Sequence, residues 1–495
     1  MALRSLFVVS FLLAAAVPAL AQTRQVLTLD EALRLAGATS ETVAIAEAAV
    51  ARAEGDRMRA RSLTRPQLAG SASYDRALAS EFSGLFESPA PPCPALDIDA
   101  ARPLADRVAE IERALDCGAV GGFSFGGDDD GGGLPFGRKN TWRANLTFQQ
   151  GVYSGGRVGA ARALAAAAYT GAEAGLSAAT AQLALDVTRA YYDAALADRL
   201  VTIAEASYAQ ASALYDQSRT MFEAGSRPEF ELLRAQVARD NQRPLVIRSR
   251  SQRDIAYLRL KQLLDLPAGT EVQLEAGLGE AALPPPAPFA AALSAVAGDP
   301  PLAAAVTADL ARSAVRQAEA SVGVSEAALA SANAQRMPTV SVVSNLGEVA
   351  YPGGVLPTDW RTNWAVGATM SVPIMTGGRL KADQMVAAAD LAASRARLQQ
   401  TRELTALDSE TARQELMAAD ASWTASAGTV TQARRAYEIA ELRYREGLST
   451  QLELADSRLA LQSAEANRAQ AARDLQVARA RIALLPNLPL SLTGR

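Results

Sequence analysis

The chain has 495 residues, 49 basic and 53 acidic, a formal net charge of −4, and 49% hydrophobic residues that are mainly alanine, with aromatics at only 5%. Mixed charge without a basic stripe argues against a nucleic-acid partner, and small side chains favour closely packed helices over a thick globular centre. The sequence contains no histidine, which removes Ser-His and Cys-His catalysis and every histidine-based metal site.

Arg4, an apolar run from Leu6 to Val17, and an A-x-A site at Ala19 and Ala21 predict a secretory signal peptide over residues 1–21, cleaved before Gln22. Glutamine in place of cysteine after the cut predicts a mature chain without a lipoprotein-type anchor. No membrane-spanning helix is expected beyond it, because Arg162, Glu173 and Asp186 break even the alanine-rich tract below the length of about 18 apolar residues that a span needs.

A first repeat is predicted over residues 22–270. It opens with helical pattern from Leu27 through Ser62, stopped by Pro66, and continues with a strand at about 67–76. Residues 77–140 follow as an irregular stretch, whose "SPAPPCP" and "GGDDDGGGLPFG" have the composition of turns and exposed loop. Asp128, Asp129 and Asp130 lack EF-hand spacing and its closing glutamate, and read as a solvated acidic loop. Cys93 and Cys117, the two cysteines, both fall in this loop; in an exported chain a disulfide between them is one reading and two unpaired thiols the other.

A second strand at about 141–150, "TWRANLTFQ", leads through Gly155 and Gly156 into a long alanine-rich helix. The letters S-G-G-R-V-G lack both the G-x-G-x-x-G spacing and the P-loop lysine, so the pair is not a phosphate cradle. The turn "GSRP", with Pro228 near the first helical position, starts a returning helix, and the hairpin spans about 156–266. Prolines mark a linker at 271–290.

The second repeat, 291–486, is predicted to run as a helix from about 300 to Gln335, a strand at 338–346, a loop at 347–362, a strand at 363–372 and a hairpin at about 378–485, before a tail at 487–495. Gly377 and Gly378 follow Gly155 and Gly156 by 222 residues (377 − 155), and Trp142 with Trp364, Arg157 with Arg379 and Gly225 with Gly447 keep that offset. Pro66 and Pro338 are 272 apart (338 − 66), so the first copy carries 50 extra residues (272 − 222) in the loop between its strands. Each arm is about 70 residues, roughly 105 Å of helix. Leu416, Ala419, Trp423, Ser426, Val430, Ala433, Tyr437, Ala440 and Tyr444 advance by steps of three and four, a coiled-coil seam that Tyr208, Ala211, Tyr215, Ser218 and Phe222 repeat in the first copy.

Asp186, Asp193 and Glu205 lie on arginine-rich helices and read as solvated or paired. With no nucleophile, metal cluster or phosphate loop, no catalytic, cofactor or metal residue is expected. Four strands cannot close a barrel, and a closed barrel is the β structure that crosses a bilayer without bare edges, so membrane-embedded strands require several chains. Their length fits a tilted membrane strand, and Trp142 and Trp364 begin equivalent strands where an interfacial aromatic belongs.

The doubled order of strand, "YSGGR" or "VPIMTGGR" pivot, long helix, glycine hairpin and returning helix, with the segment "RYREGLSTQLELADSRLALQSAEANRAQAARDLQVARARIALL", resembles the TolC family of bacterial outer-membrane efflux and secretion channels over nearly the whole mature chain. The resemblance implies a mainly α chain with a small β part, four membrane strands per chain, and a homotrimer whose 12-stranded β-barrel continues into a periplasmic α-helical tunnel. It implies an exit duct in outer-membrane lipid, for a tripartite efflux pump or a type I secretion system, working with a periplasmic adaptor and an inner-membrane pump or ABC exporter. Gly155, Gly156, Gly377 and Gly378 would be the strand-to-helix pivots, and Gly225, Ser226, Gly447 and Leu448 the hairpin tips where the adaptor docks. The loops 77–140 and 347–362 would face outside the cell.

Matching family positions give Glu453 and Asp456 as an acidic periplasmic constriction, with Glu231 and Arg234 their first-copy equivalents (453 − 222 and 456 − 222). They also give Tyr444 and Glu231 as a hydrogen-bonded gate link. Ser449 stands where the family has an arginine, which removes one constraint on the closed state. A periplasmic coiled-coil adaptor or structural protein is the alternative; it accounts for the hairpins and leaves the alternating strands unexplained.

Overall fold

The computed structural model describes residues 25–79, 94–117, 139–275, 278, 283–297, 312–352, 355–357 and 359–490. The expected signal peptide, Cys93 and the Asp128–Asp130 run lie outside them. In chain order the elements are β1 (Gln25–Leu27), α1 (Leu29–Thr39), α2 (Glu41–Ser62), β2 (Gln67–Arg76), α3 (Leu104–Asp116), β3 (Asn140–Tyr153), α4 (Arg157–Glu223), α5 (Glu229–Leu263), β4 (Val272–Leu274), α6 (Ala290–Ala297), α7 (Ser313–Ala334), β5 (Thr339–Ala350), β6 (Trp360–Ser371), α8 (Arg379–Arg445) and α9 (Gln451–Leu484). The chain divides into a β unit, residues 58–161 and 330–384, and a helical unit formed by the rest.

The β unit is built on a four-stranded antiparallel sheet in the order β2-β3-β5-β6, so each repeat supplies two adjacent strands and β3 pairs with β5 across the duplication. Register places Leu68 opposite Phe148, Tyr74 opposite Trp142, Leu146 opposite Leu346, and Leu346 opposite Trp364. Because strand side chains alternate with period two, these residues share one face with Ala72, Ala144, Val340, Val342, Val366 and Met370. The other face carries Ser71, Asp75, Arg143, Asn145, Thr147, Asn345, Asn363 and Thr369, and is tied by Arg143 to Asp75 at 2.6 Å and Thr147 to Asn345 at 2.7 Å. Three strands are longer than the sequence pattern predicted: β3 runs on to Tyr153, β5 to Ala350, and β6 starts at Trp360. The predicted loop 347–362 is shortened accordingly, its ends pairing as Gly347 with Asn363 and Ala350 with Trp360.

The stretch predicted to be irregular contains a helix, α3, of 13 residues. Its pattern Leu104, Val108, Ile111, Leu115 is amphipathic, and the surrounding Pro- and Gly-rich sequence concealed it. Cys117 caps α3 and is half of a disulfide.

In the helical unit the core gathers where the N-terminal segment meets the long helices. Leu27, Leu29, Ala32, Val43, Leu185, Val187, Tyr191, Tyr192, Leu260, Leu264, Phe289 and Leu488 form one buried cluster; each leucine or valine fully buried there contributes about 1.5–3 kcal/mol. The Tyr191 hydroxyl donates to the Leu27 carbonyl at 3.1 Å. A parallel pair, β1 with β4, was absent from the sequence reading and joins Gln25–Leu27 to Val272–Leu274. A second anchor is ionic: Asp408, buried, accepts from Arg312 at 2.7 Å and from Arg481 at 2.8 Å. Arg312, equally buried, also donates to the Thr405 carbonyl at 3.2 Å. One carboxylate thus holds the start of α7 to α8 and α9.

Helix α8 shows the predicted seam. Leu416, Ala419, Trp423, Ser426, Val430, Ala433, Tyr437 and Ala440 are half-buried or buried, while every other residue from Gln414 to Ile439 is exposed. The first copy differs. Ala204, Ser207, Ala211, Leu214 and Ser218 are the buried stripe of α4, with Tyr208 and Tyr215 half-buried and Phe222 left exposed. The reason is a second neighbour: Leu214 packs with Ala440, Tyr444 and Leu454 of the other hairpin.

Candidate functional site

The hairpin tips are two copies of one device. Two residues past the end of α4 stands Gly225, whose φ is +70°, and two past the end of α8 Gly447, φ +73°. In both, the amide after the glycine donates back to the helix: Ser226 to the Met221 carbonyl at 2.9 Å and Leu448 to the Arg443 carbonyl at 2.8 Å. This is the Schellman arrangement, in which the left-handed residue is most easily a glycine. The returning helices start differently. The Thr450 hydroxyl caps α9 by accepting from the Glu453 amide at 3.3 Å, whereas Pro228 begins α5 with no side-chain cap. Leu448 is 71% exposed, so the second tip presents an apolar side chain to solvent.

The residues assigned to the constriction and gate lie just behind these tips. Glu453 and Asp456 are exposed and three positions apart, hence on one face of α9. Glu453 lies 3.3 Å from the Arg443 guanidinium and accepts from the Ser449 hydroxyl at 2.9 Å, so Ser449 orients this carboxylate. Asp456 has no hydrogen bond or ion pair among the described residues. Tyr444 is 2% exposed. The expected Tyr444–Glu231 hydrogen bond is absent among the described residues. Arg227 lies between the two: it pairs with Glu231 at 3.2 Å and its guanidinium lies over the Tyr444 ring, 5.7 Å from the centroid. The cation sits in the turn just before α5, four residues ahead of Glu231, and from there reaches the carboxylate and the aromatic face together.

Arg227 and Arg443 escaped the sequence reading, although the i, i+4 spacing of Arg227 and Glu231 was a usable signal. Arg458 escaped it too. It is buried beside a cavity of about 160 Å³ that Gln210, Gln217, Tyr437 and Tyr444 also line. Burial holds its guanidinium below the ordinary arginine range, and burial likewise raises the Tyr437 phenol.

The pivots belong to the β unit. Gly155 and Gly156 have φ +61° and +93°, and Gly377 and Gly378 have +58° and +88°, so the turn from strand to helix is made the same way twice. A Cβ on Gly155 would stand 2.4 Å from the Met337 Cβ and 3.0 Å from the Pro338 carbonyl oxygen. Two residues later Arg157 donates to the carbonyls of Ala334 and Gln335, at 3.5 and 3.3 Å, where α7 ends.

A sheet with one apolar and one polar face, aromatic residues toward its ends and two unpaired edge strands, carried by a duplicated pair of long helical hairpins, defines a segment of a membrane channel. The outer membrane efflux protein family matches residues 119–265 and 306–487, and the chain belongs to that family, the TolC type of channel. Its fold is similar to that of VceC, an outer membrane protein of Vibrio cholerae, at 17% identity and a TM-score of 0.67, over 92% of this chain and 96% of VceC. The CmeC outer membrane channel of Campylobacter jejuni is similar at 14% identity and 0.67, over 94% and 86% of the two chains. The MtrE outer membrane channel of Neisseria gonorrhoeae, in its open state, is similar at 18% and 0.64, over 93% and 89%. No curated protein sequence matches the chain. The family consists of outer-membrane channels of Gram-negative bacteria and is not a family of enzymes.

Proposed function

We propose that the chain forms the outer-membrane exit duct of a tripartite efflux pump or a type I secretion system. Three copies supply four strands each to a 12-stranded barrel, and their hairpins continue it as a helical tunnel. The observation that carries this reading is the sheet: one face is mainly apolar from Leu68 to Met370, interrupted by Gln150, Ser344, Glu348 and Thr362, and the edge strands β2 and β6 expose all of their residues. A water-soluble adaptor has no use for such a face, and bare edges demand partners.

Transport through such a duct is passive. The polar sheet face lines the passage, the inner-membrane pump or exporter supplies the driving force, and the adaptor docks on Gly225, Ser226, Gly447 and Leu448. Glu453 and Asp456 of three chains place six carboxylates on a ring that favours cations. Arg443 partly neutralises each Glu453, so Asp456 dominates the filter. Export follows cleavage of residues 1–21, and Cys93 bonds to Cys117 across the outer loop.

The test is reconstitution. The mature chain, purified from outer membranes and added to a planar bilayer, should give discrete cation-selective conductance steps, and its deletion should retain a pump substrate inside the cell. A chain that fractionates with soluble periplasmic proteins and leaves the bilayer silent refutes the reading.

A further inference from the structure

The cavity beside Arg458 is enclosed by both hairpins and lined chiefly by hydrogen-bond donors. Gln210 and Gln217, seven apart, share one face of α4, while Tyr437, Glu441 and Tyr444, at steps of four and three, share one face of α8. Leu454 and Arg458, four apart, share one face of α9. These faces meet around about 160 Å³, well above the ~15 Å³ that one water needs. Leu214 of α4, packed on Tyr444 and Leu454, gives the cavity its apolar side.

The lining is unbalanced in charge and in hydrogen bonding. Arg458 is 5% exposed and makes no hydrogen bond or ion pair among the described residues, its Nε included. The side-chain amides of Gln210 and Gln217 and the hydroxyls of Tyr437 and Tyr444 also make no hydrogen bond among the described residues. The one carboxylate of the lining, Glu441, accepts from Arg445 a turn further along α8. Those two charges cancel, and the Arg458 guanidinium is left uncompensated. Taking a charge out of water without a partner is costly, and buried donors are ordinarily satisfied. The hairpin itself does not require a cation at this point. The equivalent residue of the first copy is Gln236 (458 − 222), which is neutral and exposed.

We propose that this cavity binds a small monovalent inorganic anion, chloride, on the Arg458 guanidinium, with the amides of Gln210 and Gln217 and the phenols of Tyr437 and Tyr444 as further donors. Charge sets the valence: one uncompensated cation takes one negative charge, and Glu441 in the wall repels a second. Guanidinium is weakly hydrated, gives up water readily and donates through five N–H groups. Water fills the space that the ion leaves. Because its donors come from α4 of the first hairpin and from α8 and α9 of the second, the anion ties the two hairpins together and stabilises their packing. The exposed Asp456, two residues before Arg458, stands on another face of α9, so the anion site is separate from the acidic ring. The site lies within one chain and stands whether or not three copies assemble.

Bromide replaces chloride and scatters X-rays anomalously, which makes the site directly visible. Crystals of the mature chain grown in bromide should give an anomalous peak in this cavity, within hydrogen-bond distance of the Arg458 guanidinium. In detergent, with ionic strength held constant by bulky gluconate, the unfolding temperature read by circular dichroism should rise by a few degrees between about 1 and about 300 mM chloride. Arg458→Gln gives α9 the residue that α5 carries at the equivalent position. It should lose both the peak and the chloride response while melting no lower than wild type in gluconate, since it removes an unpaired buried charge. Glu441→Gln removes the repelling carboxylate and should move the onset of the response to several-fold lower chloride. A cavity empty of bromide, or a chloride response kept by Arg458→Gln, overturns the site. An onset that Glu441→Gln does not lower overturns the charge balance on which it rests.

Discussion

Substituting Gly155 by alanine asks whether the pivot is fixed by conformation alone or also by close packing. The φ of +61° at Gly155 and +73° at Gly447 place both in the left-handed region, where alanine costs about 1–2 kcal/mol. Gly447 has no atom within 4 Å of an added Cβ, so Gly447→Ala should cost that much and no more. Gly155→Ala also drives a Cβ to 2.4 Å from the Met337 Cβ and 3.0 Å from the Pro338 carbonyl. Neither neighbour is the free end of a flexible chain, and relieving the overlap should add about 1–3 kcal/mol. Met337→Gly removes the nearer obstacle, so the two substitutions should couple by about 1 kcal/mol or more in a double-mutant cycle. The assay is the temperature at which the detergent-resistant oligomer dissociates on a gel, followed in parallel by loss of helical circular dichroism. If Gly155→Ala is no more damaging than Gly447→Ala, or if Met337→Gly leaves its cost unchanged, the packing argument is wrong.

Bulky substitutions at Gly225 and Gly447 together should abolish export while leaving the oligomer intact, as read by substrate accumulation and native gels; unimpaired export removes the tips from docking. Glu453→Ala with Asp456→Ala should lower cation selectivity and relieve block by multivalent cations in a planar bilayer, and Asp456→Ala alone should achieve most of it because Arg443 already pairs with Glu453. Arg227→Ala should raise single-channel conductance by freeing Glu231 and Tyr444, whereas Tyr444→Phe should change it little; the opposite ranking restores a direct tyrosine-carboxylate link. Asp408→Asn leaves Arg312 and Arg481 without their shared carboxylate and should destabilise the helical unit by about 3–5 kcal/mol, seen as a lower urea midpoint; a wild-type midpoint means water reaches the pair.

The duplication was legible because its markers are conformational. Glycine pairs with positive φ cannot drift far, so the 222-residue offset survives where side chains have diverged, and the helices on either side of it are both 67 residues long. The strands were legible because one face is mainly apolar, which writes period two into "TWRANLTF". What could not be read has equally physical causes. Three residues of β1 meet β4 across 247 positions (272 − 25), and a pairing that short has no pattern of its own. Asp408, Arg312 and Arg481 look like any other helix charges until three helices converge and exclude water. Arg227 shows a limit of transferring a gate by position. The resemblance implies a constraint lost at Ser449, yet the Arg227 guanidinium reaches Tyr444 and Glu231 from the first hairpin.

The number of chains in the native particle tests the central claim most directly. Multi-angle light scattering of the detergent-solubilised, unheated protein, with bound detergent accounted for, should return three copies of the mature chain at all protein concentrations. A single copy would leave the edges of β2 and β6 bare in lipid and would contradict the channel.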